Sequence, residues 1–381
     1  MIASKRSPLV WAVHLSVILL VLLWTTPTLG LLISSLRDKD QLAVSGWWTA
    51  LSTSTQNSVF RAPGADQQVE RDGTFVISGN VLSGGDGEVQ AFGFNSREPA
   101  AYLPGDSADL GDGEKLTVQA DGSFEIVSDV KMEGSRGQRI FFTAASPPRF
   151  TFDNYREVLA AEGIGASFIN SLTVAIPATI IPILVAAFAA YALAWMKFPG
   201  RAILVAVVVG LLVVPLQMSL IPLLKLYNGV GAFFGVPAKT YLGIWLAHMG
   251  FGLPLAIYLL RNYMAGLPRE IMESARVDGA SDFDIFVKII LPLSFPALAS
   301  FAIFQFLWTW NDLLVAMVFL GTGNDELVLT GRLVNLLGSR GGNWEILTAS
   351  AFITIIVPLI VFFSLQRYLV RGLLAGSVKG G

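Results

Sequence analysis

The sequence predicts an all-α, polytopic membrane protein of six transmembrane helices with an inserted, extracytoplasmic β-rich domain. Three observations lead there. Hydrophobic residues make up 53% of the 381-residue chain and charged residues 14%, with a mean hydropathy of +0.61, whereas a soluble domain carries about 25% charge. Six stretches reach the ~20 mostly apolar residues that a bilayer-crossing helix needs: 9–36, 168–196, 201–225, 240–263, 293–320 and 346–370. Between the first and second of these the chain turns polar and acidic. Residues 38–150 hold 16 acidic and 9 basic side chains, the remainder 12 and 17, so a net charge of −2 hides a basic membrane body and an acidic insert. The expected domains are 1–37 (N-terminal segment and first span), 38–149 (insert) and 150–381 (five-helix core with a polar loop at 266–292).

The first span is longer than the 7–15-residue apolar core of a secretory signal, and no small-residue cleavage site follows, so it reads as an anchor. Basic residues mark the cytoplasmic side. Lys5, Arg6, Lys197, Arg201, Arg261, Arg269, Arg276, Arg367, Arg371 and Lys379 share one side if both termini are cytoplasmic, with Arg37, Lys39, Lys225 and Lys239 as exceptions. The insert then faces outward. Pro177, Pro182, Pro215, Pro222, Pro254 and Pro358 predict kinked spans whose freed carbonyls are satisfied by neighbouring helices. Ala186, Ala187, Ala189, Ala190, Ala192 and Ala194 permit close helix approach.

Several chemistries drop out. The chain has no cysteine, which excludes disulfides, thiolate metal sites and cysteine nucleophiles. His14 and His248 lie in apolar spans and read as polar side chains facing helix neighbours. No Gly-x4-Gly-Lys-Ser/Thr phosphate loop occurs, so no nucleotide cofactor is expected on this chain. Neither paired carboxylates nor His clusters line the spans, which argues against an enzyme, and nothing points to nucleic acid.

Within the insert, Thr74–Ser78, Val89–Phe94, Lys115–Val118, Ser123–Val127 and Arg139–Thr143 alternate with the period of strands. Asp72-Gly73 and Asp121-Gly122 are hairpin-turn dipeptides, and the runs that follow them echo one another. A small β-sandwich or partial barrel is expected, cored by Phe75, Phe92, Phe94, Phe124, Phe141 and Phe142, after a poorly ordered lead-in at 40–66. Asp106, Asp109, Asp112 and Glu114 invite a calcium reading, but their spacing does not fit an EF-hand and solvated turn carboxylates explain them.

The polar loop between the fourth and fifth spans runs from Pro268 to Ala280 and on to Ile289-Ile290-Leu291-Pro292. It reads as a short helix–turn–helix. Pro268 suits the first helical position and Gly279 the left-handed residue that ends a helix; Ser281 or Asp282 can cap a second helix. Its spacing resembles the Glu-Ala-Ala-x3-Gly-x9-Ile-x-Leu-Pro signature of ABC importer permeases, the binding-protein-dependent transport inner-membrane family. The matching positions are Glu273, Ser274 (for the first Ala), Ala275, Gly279, Ile289, Leu291 and Pro292, with Glu270 and Asp278 in the same loop. Phe150-Thr151-Phe152-Asp153-Asn154-Tyr155, continued by Phe168-Ile169-Asn170-Ser171, resembles the entry of sugar-importer permeases, and Trp310-Asn311-Asp312 resembles the Trp-Asn-(Asp/Glu) of the family. The tail from Gln366 to Gly380 resembles the C-terminus of the maltose-type second permease. Together these point to the carbohydrate, maltose/α-glucoside-type subgroup. The likeness covers the first span and 150–381, not the insert.

The resemblance implies a type I importer fold and a permease subunit that shares a translocation path with a second permease. Its 268–292 loop would dock on one of two copies of an ATP-binding subunit, where ATP and magnesium reside, and an extracytoplasmic sugar-binding protein would deliver a carbohydrate. Because intramembrane polar groups usually face a cavity, Gln217, Gln305, Trp308, Trp310, Asn311 and Asp312 are pathway candidates. Each amide can equally serve an interhelical hydrogen bond, and each tryptophan the membrane-interface belt. Asn324, Asn343 and Trp344, in a long Gly-rich outer loop, are candidates for touching the binding protein. The competing reading is a membrane-anchored sensor or assembly protein that uses the insert as a binding module; six spans are more than an anchor needs.

Overall fold

The computed structural model describes residues 8–71, 73–83, 87–339 and 343–374. Lys5, Arg6, Asp72 of the first turn dipeptide, and the tail beyond Leu374, Lys379 included, lie outside the described residues. The chain divides into two compact units: Met1–Asn154 with Asn343–Ala349, and Tyr155–Gly342 with Ser350–Gly381.

The first unit begins with the apolar helix α1 (Pro8–Ser35), followed by α2 (Lys39–Val44) and a 3-10 turn at Trp47–Thr49. Among the described residues eight strands come next: β1 (Ser54–Arg61), β2 (Val69–Arg71), β3 (Thr74–Asn80), β4 (Glu88–Gly93), β5 (Ser107–Gly111), β6 (Glu114–Val118), β7 (Ser123–Ser128) and β8 (Arg139–Ser146). They form two antiparallel sheets ordered β1-β8-β4 and β2-β3-β7-β6-β5. Alternation puts Leu116 and Val118 of β6, Phe124 and Ile126 of β7, and Ile140 and Phe142 of β8 into one buried core shared by both sheets. Gly122, at φ +81°, turns β6 into β7, a left-handed position suited to glycine. The two echoing runs pair directly, Ile77 opposite Ile126.

Two expectations for this segment fail. Residues 40–66 are not a loose lead-in. They hold α2 and β1, whose eight residues pair in register with all of β8, Ser54 to Ser146 through Arg61 to Arg139. Phe141 is outside the core, because the pleat that buries Ile140 and Phe142 turns it to the other face.

The second unit is helical: α3 (Asp153–Ala160), α4 (Ile164–Trp195), α5 (Arg201–Leu211), α6 (Leu216–Phe234), α7 (Tyr241–Ala265), α8 (Arg269–Val277), α9 (Asp282–Ile285), a π-helical turn at Phe286–Ile290, α10 (Leu291–Leu293), α11 (Phe295–Asn311), α12 (Leu313–Phe319), α13 (Leu329–Ser339) and α14 (Trp344–Leu374). Helices α3 and α14 each begin in the first unit. Helix α4 packs along α7, and its alanines 186, 187 and 190 are buried against Ala256, Ile257 and Leu260.

Among the described residues, four helices are long and apolar enough to cross a membrane: α1, α4, α7 and α14. Six spans result if each of two bent pairs crosses as one: α5 with α6, which meet at 107°, and Asp282–Leu293 with α11, which meet at 68°. The predicted third span breaks because Pro215 offers no N–H and disfavours helical backbone at Val214, so α5 closes in tight i→i−3 bonds from Val213 and Val214. The predicted fifth span bends at Ser294, between Pro292 and Pro296, and breaks again at Asp312, where ψ swings to 81°.

Candidate functional site

The loop between α7 and α11 is built by its caps. Pro268 precedes the helix as N-cap of α8, one position earlier than expected. At the other end the Ala280 N–H donates to Ala275 O and the Gly279 N–H to Arg276 O, both at 3.0 Å. These are the paired bonds of a Schellman ending, which requires a left-handed residue, and Gly279 has φ +84°. Of the two candidate caps Ser281 is used: its Oγ accepts the Asp284 N–H at 3.1 Å. Asp284 in turn holds Lys288, 2.6 Å away and one turn on.

One face of this knob belongs to the bundle. Met272, Ile285, Phe286 and Ile290 are buried in the same cluster as Ala186, Tyr191, Leu260, Met264 and Phe301 of α4, α7 and α11. The Phe286 ring lies 4.7 Å from Phe188 and 5.1 Å from Tyr191, both on α4. Ile289 and Leu291 are half-buried beside them, and Pro292 is exposed. The other face is free: Glu270, Glu273, Ser274 and Asp278 are exposed, with Ala275 half-buried. Two apolar side chains of the same loop are exposed as well, Val277 at 87% and Phe283 at 66%. A rigid body fixed to three helices and presenting a mixed acidic and apolar face can pass a push from a partner into those helices.

Sequence reasoning missed the brace inside the knob. Glu273 is exposed, and the turn is spanned by Arg276 Nη2 and Asp282 Oδ1 at 3.0 Å, with Tyr191 of α4 interacting with both charges. Both charges are about half exposed, so the pair adds little to stability; it spans the turn between α8 and α9. Opposite charges six residues apart across a glycine follow no helical or strand period, and the Schellman ending is what brings them together.

The pathway candidates separate. Gln305 is buried, its Nε2 donating to Ala178 O at 3.1 Å and His248 O at 3.5 Å, and a Cβ on Gly252 would sit 2.5 Å from its Oε1. It braces α4, α7 and α11. Trp310 is likewise buried, donating to Thr354 O of α14 at 2.9 Å and packing on Phe306. Asp312 caps α12 by accepting the Val315 N–H at 3.0 Å. Trp308 and Asn311 are exposed on α11, with Asn311 Nδ2 turned back to Leu307 O, and Gln217 is exposed in the first turn of α6. Exchanging Gln305 for leucine should therefore remove an interhelical brace worth about 1 kcal/mol, lowering the melting temperature of the assembled protein by about 2–4 °C with the transport KM unchanged. A raised KM with unaltered melting would put the amide in the pathway.

The loop after α12 is tied to the start of α4. Asn170 Nδ2 donates to the carbonyls of Asp325 (2.8 Å) and Leu327 (3.1 Å), the Tyr241 hydroxyl donates to Asn170 Oδ1 at 2.7 Å, and Ser171 Oγ accepts the Leu329 N–H at 2.8 Å. Arg332 donates to Ser167 Oγ, and to the side-chain and backbone oxygens of Asn324. Asn324 is thus an exposed residue on a fixed loop, while Asn343 and Trp344 are exposed at the start of α14. Among the described residues no group of three acidic or histidine side chains is placed to hold a metal.

The model of a family described as binding-protein-dependent transport system inner membrane component matches residues 166–374, which takes in the whole knob and the loop after α12. The chain is 85% identical over 378 residues, 99% of either sequence, to the alpha-glucoside transport system permease protein AglG of Rhizobium meliloti (strain 1021). It is 43% identical over 367 residues, 96% of this chain and 91% of the other, to the osmoprotective compounds uptake permease protein GgtD of Synechocystis sp. (strain ATCC 27184 / PCC 6803 / Kazusa). Both alignments are too long to leave out the strand-rich segment. Among solved structures, a chain of a bacterial ABC transporter involved in the import of the acidic polysaccharide alginate matches with a TM-score of 0.47 and 23% identity, over 59% of this chain and 81% of that one.

Proposed function

Since the chain belongs to the family of binding-protein-dependent transport system inner membrane components, we propose that it is the second permease of an ATP-driven α-glucoside importer. The 85% identity to an alpha-glucoside permease along nearly the whole chain supports the choice of solute. The observation that carries the mechanism is the knob of residues 268–292, capped at both turns and buried on one face against α4, α7 and α11. A separate ATP-binding subunit, present in two copies, docks on its free face and hydrolyses ATP with magnesium; this chain contributes no nucleotide site. Closure of that subunit tilts the three helices, and the path shared with a second permease opens alternately to either side.

Both termini are cytoplasmic, and the segment 38–149 is an extracytoplasmic domain. The loop after α12, held by Asn170, Ser171 and Arg332, presents Asn324 to the sugar-binding protein, with Asn343 and Trp344 on the same side of the membrane. Of the pathway candidates, exposed Trp308, Asn311 and Gln217 line the route, the indole offering an apolar face to a sugar ring and the amides hydrogen bonds to its hydroxyls.

Reconstitution in proteoliposomes with the partner permease, ATP-binding subunit and binding protein tests this. ATP-driven uptake of a labelled α-linked glucose disaccharide, competed by α- but not β-linked glucosides, is expected. Uptake of another solute alone would overturn the sugar assignment and leave the permease role standing; ATP hydrolysis indifferent to loaded binding protein would overturn the coupling role.

A further inference from the structure

The passage from the first span to the sheets folds back on itself. Helix α1 has 28 residues, about 42 Å at 1.5 Å per residue, which matches a hydrocarbon core with its two headgroup layers. Beyond its end, the buried Arg37 side chain donates to the carbonyls of Gln41, Ser45 and Gly46 at 3.1, 2.9 and 3.0 Å and to Ser45 Oγ at 2.6 Å. The chain is gathered around this guanidinium and turned back toward the helix. Trp47 then returns to α1. Gly30 is buried, and a Cβ there would lie 2.7 Å from the Trp47 indole, so the ring rests on the helix backbone five residues before Ser35, about 7.5 Å short of the helix end.

From this we infer that residues 44–51 lie in the lipid interface and seat the strand-rich unit on the membrane through Trp48 and Leu51. Trp48 stands edge-on to Trp47, with ring centroids 6.0 Å apart. It is 74% exposed, and Leu51 is 84% exposed. The turn that carries them is fixed: Thr49 Oγ1 donates to Gly46 O at 2.8 Å, and Ala50 is buried. On α1 the residues at the level of Gly30, Leu29, Leu31 and Leu32, are exposed as well. A helix that crosses a bilayer shows this surface to lipid, and its level is the base of the headgroup layer, where an indole is placed best, its ring toward the acyl chains and its N–H toward water. The insert is thereby held at a fixed height on the membrane instead of swinging from a linker.

The absence of cysteine makes the test direct. Single variants Trp48→Cys, Leu51→Cys and, as a reference at an exposed side chain of β6, Lys115→Cys are spin-labelled in the assembled complex in phosphatidylethanolamine/phosphatidylglycerol nanodiscs. Leu51→Cys keeps both tryptophans, so a folding defect of the Trp48 variant does not decide the matter. Relaxation of the labels at 48 and 51 should be several-fold more sensitive to oxygen than to a water-soluble nickel chelate, with the reverse at 115. Labels at 48 and 51 that behave like the one at 115 would place the segment in water, and labels shielded from both reagents would place it against another protein; either result overturns the proposal.

Discussion

Gly279→Pro in the assembled complex is expected to abolish the ATP hydrolysis that substrate-loaded binding protein stimulates, with the chain still present in the membrane at normal amount. Gly279 holds φ +84°, and an added Cβ would meet nothing within 4 Å, so any effect of substitution comes from the backbone and not from a clash. Proline fixes φ near −65° and has no N–H, which removes the bond to Arg276 O and prevents the turn that delivers the Ala280 N–H to Ala275 O. Helix α9 must then leave α8 at another angle, the Arg276–Asp282 pair cannot close, and the exposed face carrying Val277 and Phe283 comes apart. The membrane bundle survives, because Ile285, Phe286 and Ile290 remain buried against α4 and α7. Gly279→Ala should fall between, since a left-handed alanine costs about 1–2 kcal/mol and keeps both bonds. Glu273→Lys probes the free face by itself: its side chain is exposed, so lost stimulation with intact folding would locate the defect in docking. Measuring basal and stimulated ATPase activity on purified complexes decides the matter; a normally stimulated proline variant would remove the knob from the coupling route.

How legible each feature was depends on the range of the interaction that makes it. The knob could be read almost residue by residue because caps are local: Pro268, Gly279 and Ser281 act within four residues of themselves. The apolar spans were legible as stretches, since hydropathy adds up along the chain, but their breaks were not. A window averages across Val213-Val214-Pro215 and across Asn311-Asp312 without seeing that the backbone leaves the helix there. Strand β1, Ser54–Arg61, was missed because its burial only alternates between half-buried and exposed, and its polar sequence matches the loops around it. What orders it is β8, nearly eighty residues further on. Gln305 and Trp310 were visible as polar or amphipathic side chains in a span, but whether such a group faces a channel or a neighbouring carbonyl is set by packing that one sequence does not show.

The same long-range pairing sets the limits of the strand-rich segment as a folding unit. A fragment of residues 36–154 should be a soluble β-rich protein with a cooperative thermal transition, whereas 68–146, the part with legible strands, should lack one. Removing β1 strips one of its two neighbours from β8 along all eight residues, the strand that carries Ile140, Phe142 and Ala144 into the core, and leaves one side of it as a long unpaired edge prone to association. Starting at 68 also discards the clasp at the base: Gln41 Nε2 donates to Pro147 O at 2.6 Å and its Oε1 accepts the Arg149 N–H at 3.0 Å, the Thr151 N–H donates to Leu36 O at 2.7 Å, and Asn154 Nδ2 donates to Arg37 O at 2.9 Å. These bonds close the loop between entry and exit, sparing the folded fragment the entropy of two free ends. At about 80 residues a core without disulfides is marginal, so losing one strand of eight is enough to abolish cooperativity. Far-ultraviolet circular dichroism, thermal melts and gel filtration of the two fragments, with mild detergent to cover Trp48 and Leu51, give the answer. If the shorter fragment melts as sharply and at as high a temperature as the longer one, β1 and the clasp contribute nothing to the fold of the strand-rich segment.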